Sequence, residues 1–137
     1  MASLRAVVSD PERGPRVVQV ENTLAAFREA VPGAELLEAH MGVIGGKAHV
    51  VYCDEEGLIK GLDPSVADPC GLVWIRGPVL ITDADDEGED VSLTEEDARS
   101  VVGSMRAASY GGRRLRILVT GPMRVFPTGL VDLGAGE

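Results

Sequence analysis

Val79-Leu80-Ile81-Thr82 is a short run of apolar and β-branched residues, entered through Gly77-Pro78 and left into nine acidic residues with no basic one between Asp83 and Asp97. Such a run, cut by helix breakers on one side and by charge on the other, fits a buried strand and not a helix. Pro78 lacks the amide that a central ladder needs, so the strand is expected to start near Val79 and to be central. The chain must fold around a sheet, with a strongly negative loop at the exit of that strand.

The flanking segments supply partners for it. Leu4, Ala6 and Val8 alternate with Arg5, Val7 and Ser9, and after the turn between Pro11 and Pro15 the run Arg16 to Val20 reads as the second arm of a hairpin. Asn22 is placed to cap a helix through Leu24, Phe27 and Val31, which Pro32-Gly33 ends. A second hairpin is expected from residues 34–41 and 48–53, turning through Gly45-Gly46. Residues 58–62 read as a short strand and residues 63–67 as one helical turn, because Asp63 resembles a cap and Pro64 suits a first helical position. Thr94, three acids and the spaced set Ala98, Val101, Val102 and Met105 specify a second helix, with Leu93 placed to staple onto Ala98.

These elements predict an α+β fold: a small, mostly antiparallel sheet of two hairpins plus a central strand, one helix near residues 22–31 and one near 94–106. A single domain over residues 1–110 is expected, followed by a C-terminal extension over residues 111–137. In that extension Gly111-Gly112 reads as a linker, and residues 113–126 read as an edge hairpin around Gly121-Pro122 or as part of a mobile tail.

At 137 residues and 45% apolar content, one domain of this kind buries a sizeable core without disulfides or metal. Cys53 and Cys70 form no CxxC pair, no signal peptide opens the chain and no apolar run reaches membrane length, so a reducing cytoplasm is the expected compartment. Residues 1–110 hold 20 acids against 9 bases, a field that opposes direct contact with nucleic acid and favours basic protein surfaces or cations. The sole basic patch is Arg113, Arg114, Arg116 and Arg124, which fits a half-buried strand with charged edges as well as an anion-binding arm. Self-assembly through residues 113–126 is a further expectation.

Motifs for bond chemistry are incomplete. Asp83, Asp85, Glu87 and Gly88 match the first half of a calcium loop, but Thr94 stands at its twelfth position in place of a bidentate Glu. Residues 42–47 have Met41 where a phosphate loop needs its first Gly and Ala48 where it needs a hydroxyl. His40, His49, Cys53 and Cys70 lack zinc-ribbon spacing. His49 and Cys53 share a strand face, but a packed Cys beside a hydrogen-bonded His is the simpler account. Aromatic content of 4% offers no platform for sugars or single-stranded nucleic acid. No catalytic residues, cofactor or metal ligands are assigned on these grounds.

The order of pieces resembles a known family. Glu21-Asn22-Thr23-Leu24, Val31-Pro32-Gly33, Cys53-Asp54-Glu55-Glu56-Gly57 with Gly61-Leu62, Gly77-Pro78-Val79-Leu80-Ile81, Asp86-Glu87-Gly88-Glu89 and Ser92-Leu93-Thr94-Glu95-Glu96 together look like the domain-of-unknown-function family thirty-eight forty-six, over about residues 4–105. The resemblance implies an accessory protein of a bacteriophage or mobile element that acts in the bacterial cytoplasm, and it carries no catalytic residues with it. Asp54 and Ser65 stand where that pattern has Asn.

The residues predict a non-enzymatic module in which Asp83, Asp85, Asp86, Glu87, Glu89 and Asp90, together with Asp54, Glu55 and Glu56, engage a basic surface of a host or element-encoded protein. Counter-defence by mimicry of DNA charge is one form of this. The alternative is a small-ligand domain holding a nucleotide or metal between the 54–57 turn and the 83–90 loop.

Overall fold

A computed structural model describes residues 3–121 and 123–125. The alternating segments Ser3–Ser9 (β1) and Arg16–Glu21 (β2) pair antiparallel from Ser3↔Glu21 to Val8↔Arg16. Helix α1 (Leu24–Ala30) is capped one residue later than expected, with Thr23 Oγ1 accepting from the Ala26 amide at 3.1 Å. Leu37–Ile44 (β3) and Lys47–Asp54 (β4) form the next pair. Gly45 and Gly46, at φ of 68° and 88°, close it in the mirror-image turn that matches strand twist.

Two local expectations fail between residues 58 and 67. Residues 58–62 form turns and not a strand, and Pro64–Ala67, read as a helical turn, is strand β5 with all four residues buried. Pro is tolerated as a first strand residue, and tertiary burial of Val66 outweighs the local cap signal.

The extended run after Gly71 divides between two sheets, as Val73–Arg76 (β6) and Val79–Ala84 (β7). Gly77, at φ 90°, turns the chain between them, and a Cβ there would lie 2.6 Å from Leu62 Cδ1. Asp90–Val91 (β8) pairs back onto β7 at Asp83↔Val91 and Ala84↔Asp90.

Thr94 caps α2 (Glu95–Val102), its side chain accepting from the Asp97 amide at 3.0 Å, and Leu93 and Ala98 are buried in one cluster. The helix stops at Val102 instead of continuing to 106. Gly103 caps it, and Met105–Tyr110 (β9) turns through Gly111-Gly112 into Arg113–Val119 (β10). The glycine pair read as a linker is a tight hairpin turn.

One small sheet was expected; the protein is mostly β, with two sheets and two helices. The seven-stranded sheet has the order β11-β3-β4-β7-β1-β2, where β11 is Met123–Val125 and β8 pairs with β7 off this path. The second sheet has the order β6-β5-β10-β9. Strand β7 lies between β4 and β1, and it begins at Val79.

The large sheet is covered on both sides. Val7, Val51, Val79 and Ile81 pack with Leu93, Ala98 and Val101 of the α2 region and with Val66, Ile75 and Leu118 of the second sheet. On the opposite face Leu4, Ala6, Val8 and Leu80 pack with Phe27 of α1 and with Val31, which caps its C-terminus. Each Val, Leu, Ile or Phe side chain among these, fully buried, contributes about 1.5–3 kcal/mol.

Residues 113–119 are central to the second sheet. Strand β10 is parallel to β5 through Leu118↔Val66 and Val119↔Ala67, and antiparallel to β9. Both its edges are occupied, and β11 pairs with β3 as the outermost strand of the other sheet, so residues 113–125 form no β10–β11 hairpin. The tail expected beyond residue 126 lies outside the described residues.

Candidate functional site

The acidic loop is a shaped hairpin tip. Asp85 Oδ1 accepts from the amides of Glu87 and Glu89, both at 2.9 Å, while the Asp85 amide donates to the Glu89 carbonyl at 2.9 Å. Asx-type bonding of this kind holds a tight turn, and Gly88, at φ 84°, supplies its left-handed position. Asp90 anchors the far side of the loop. Tyr52 donates to both of its carboxylate oxygens, at 2.7 and 2.9 Å, and Thr82 donates to Oδ1 at 3.1 Å. Burial raises the pKa of Asp90 although these two donors pull it down, and burial together with the nearby Asp90 charge raises that of Tyr52.

Asp83 is also engaged, its carboxylate 3.1 Å from Nδ1 of the buried His49. The nine candidate residues therefore divide. Asp83, Asp85 and Asp90 shape the loop, whereas Asp86, Glu87 and Glu89 are exposed. Among the described residues, no cation pairs with those three carboxylates or with that of Asp85. Of the half calcium loop, Asp83 turns to His49 and Asp85 to the amides of its own loop, and Asp83, Asp85 and Glu87 form no converging ligand group among the described residues.

The 54–56 turn stands at the other end of the same ladder. Cys53 opposes Val79 at the start of β7 and Val50 opposes Thr82 near its end, so about 17 Å of strand separates Asp54 from the 83–90 loop. Asp54 is buried, bonded to Lys60 Nζ at 2.6 Å and to the Glu56 amide at 2.9 Å. The Asp54 hydrogen bond holds the Lys60 pKa above its usual value. Asp54 therefore organises its own turn, and only Glu55 and Glu56 face solvent there.

The basic patch is partly spoken for. Arg113 pairs with Asp63 and, at 3.5 Å, with Glu12, while Arg116 donates to the Arg13 carbonyl at 2.9 Å. These contacts dock the β1–β2 turn onto β10. An open groove of about 940 Å³ runs beside that turn, along α1 and past residues 62–63 and 77–78. No residue of the 54–57 turn or the 83–90 loop lines it. The acids Asp10, Glu12, Glu21, Glu29 and Asp63 in its lining disfavour phosphate.

A different group of side chains meets between β3 and β4. Glu38 and His40 are two apart on one face of β3, and Glu38 is paired directly with Cys53. One ligand atom from each of the three lies within 4.8 Å of the others. His40 Nε2 is 3.1 Å from Glu38 Oε1, and His40 Nδ1 is buried with no partner among the described residues. Burial pushes the Cys53 thiol up to about 12, with Glu38 and Asp54 adding to it. His49, the partner expected for Cys53, is committed to Asp83 instead. Cys70 is exposed and apart from this group.

The model of the family described as Domain of unknown function (DUF3846) matches residues 4–105. The chain belongs to this family. No curated protein and no solved structure matches the chain. The DUF3846 match runs from β1 through α2 and stops at Met105, so it contains both acidic segments and the Glu38–His40–Cys53 group. Strand β10, which completes the second sheet, lies beyond it. No helix among the described residues is long and apolar enough to cross a membrane.

Proposed function

We propose that the protein is a non-enzymatic binding module whose 83–90 hairpin tip docks on a basic surface of a protein partner, in the setting of a phage or mobile element. The supporting observation is the division of labour in the loop. Asp85 and Asp90 fix its backbone, and Asp86, Glu87 and Glu89 project from it without cationic partners among the described residues. A preordered carboxylate cluster loses little conformational freedom on docking, and its field speeds encounter with positive surfaces. Relative to the sequence expectation the contact surface is narrower, because Asp54 serves its own turn and Glu55 and Glu56 lie at the opposite end of the ladder.

The test is affinity capture from bacterial host lysate with the wild-type chain and with the triple variant Asp86→Asn, Glu87→Gln, Glu89→Gln. These substitutions leave the residues that shape the loop, and exposed changes of this kind alter stability by about 0.5 kcal/mol or less each. Partners held by the wild type, released by salt and lost with the variant support the reading. An identical partner set for both proteins removes it. Identification of a captured partner as a nuclease would assign the counter-defence form.

A further inference from the structure

We propose that Glu38, His40 and Cys53 form a binding site for a zinc-type divalent ion, with water at the fourth position. The inference is independent of the acidic loop, which lies elsewhere on the sheet. It begins with register. The two-residue turn at Gly45-Gly46 fixes Glu38 opposite Cys53 and His40 opposite Val51, so the three side chains leave the same face of adjacent strands. Direct and diagonal neighbours of this kind are close enough for their ends to meet, and the ligand atoms lie within 4.8 Å of one another.

A tetrahedral zinc ion with bonds of about 2.0–2.3 Å holds its ligand atoms roughly 3.3–3.7 Å apart. The His40–Glu38 separation of 3.1 Å is already close to that span. The remaining pairs, at up to 4.8 Å, need to close by about 1 Å to reach it.

The second observation is the setting of His40. Its ring is buried, makes one hydrogen bond, to Glu38, and has no partner for Nδ1 among the described residues. An ion here takes Nε2, the ring nitrogen that already faces Glu38, in place of that hydrogen bond, and the ring proton then sits on Nδ1. The donor set selects the ion. A thiolate and an imidazole favour zinc and its transition-metal neighbours over calcium or magnesium, which take oxygen ligands. One carboxylate and one thiolate offset the two positive charges, the thiol proton passing to solvent when the ion binds.

Access is asymmetric. Cys53 is buried in the core cluster with Val66 and Ile75 of the second sheet, whereas the Glu38 side chain is 31% exposed. The ion would therefore enter from the Glu38 side, which is also where a water can complete its coordination.

The experiment uses the full chain, stripped with chelator, kept reduced with a phosphine and titrated with Co(II). The expected result is one cobalt per chain, visible bands of tetrahedral cobalt, a near-ultraviolet sulfur-to-cobalt charge-transfer band, and bleaching of all of these by zinc. Cys53→Ala should abolish the charge-transfer band, His40→Asn should weaken cobalt binding by about tenfold or more, and Cys70→Ser should leave the spectrum unchanged. Absence of the band in the wild type overturns the proposal, as does a band that survives Cys53→Ala or disappears with Cys70→Ser. If circular dichroism shows that Cys53→Ala has not folded, Glu38→Gln decides, because its side chain is at the rim. A loss of affinity of about tenfold supports the site, and unchanged affinity sinks it.

Discussion

Tyr52 Oη lies 2.7 and 2.9 Å from the two carboxylate oxygens of Asp90, so a residue of β4 holds the far end of the acidic loop. The same ring packs against Phe27 of α1 with centroids 5.2 Å apart. One side chain thus connects the packing of a helix to the shape of the loop.

Removing only the hydroxyl, with Tyr52→Phe, should destabilise the protein by about 1–3 kcal/mol, because Asp90 then keeps a single side-chain donor, Thr82. A lowered urea midpoint with unchanged slope checks the magnitude. Faster amide exchange at Glu87 and Glu89 checks that the loop loosens.

Asp90 makes stability depend on pH in a direction opposite to most surface acids. Its folded pKa is raised above 3.8 by burial, so the folded state holds a proton that the unfolded chain has already released. The associated stabilisation is full below about 3.8 and is lost as pH rises through the raised folded value. The stability difference, wild type minus Asp90→Asn, should therefore fall across that window in urea titrations at stepped pH, and a rise with pH would contradict it.

Lys60 gives the contrasting case. Its pKa is raised by its hydrogen bond to Asp54, so its contribution is present below about 10.5 and lost as pH rises through the higher folded value. Lys60→Met leaves the buried Asp54 carboxylate without its cation and should lower the melting temperature at neutral pH. That deficit should shrink in strongly alkaline buffer.

The two thiols differ in access. Cys53 is 3% exposed and Cys70 is on the surface, so chelator-treated native protein should react with an aromatic disulfide reagent at one thiol per chain. Denaturant should expose the second. Cys70→Ser should remove the fast reaction and leave the slow one.

Leu118 is fully buried between the sheets, so Leu118→Ala should cost about 2–5 kcal/mol. A chain ending at Gly112 lacks β10 altogether and should fail to show a cooperative transition by circular dichroism. Retention of one would return the domain boundary to the neighbourhood of residue 110.

Where a local signal and burial agreed, the sequence was readable. Gly77-Pro78 marks the start of β7, Gly45-Gly46 marks a hairpin turn, and Thr94 with Leu93 marks α2. Where they conflicted, burial won. Asp63-Pro64 has the chemistry of a helix start, yet β5 is extended because Val66 pairs with Leu118, a partner 52 residues away that no local pattern reveals. Met105 continues the helical spacing of α2, but Gly103 and the pairing of β9 with β10 end the helix.

For the candidate site, the composition of the acidic loop was legible but its internal division was not, because Tyr52 reaches Asp90 across 38 positions. The Glu38–His40–Cys53 group was within reach. A two-residue turn at Gly45-Gly46 dictates that Glu38 faces Cys53, whereas counting along one strand led to His49.

The parallel pairing of β10 with β5 has a consequence during synthesis. While a ribosome is still producing the first hundred or so residues, Val66 and Ala67 have no neighbour on one side, and the apolar face of the large sheet lacks Leu118. Closure of the interior must wait until β10 has emerged, so the growing polypeptide passes through a stage in which its most aggregation-prone surfaces are uncovered.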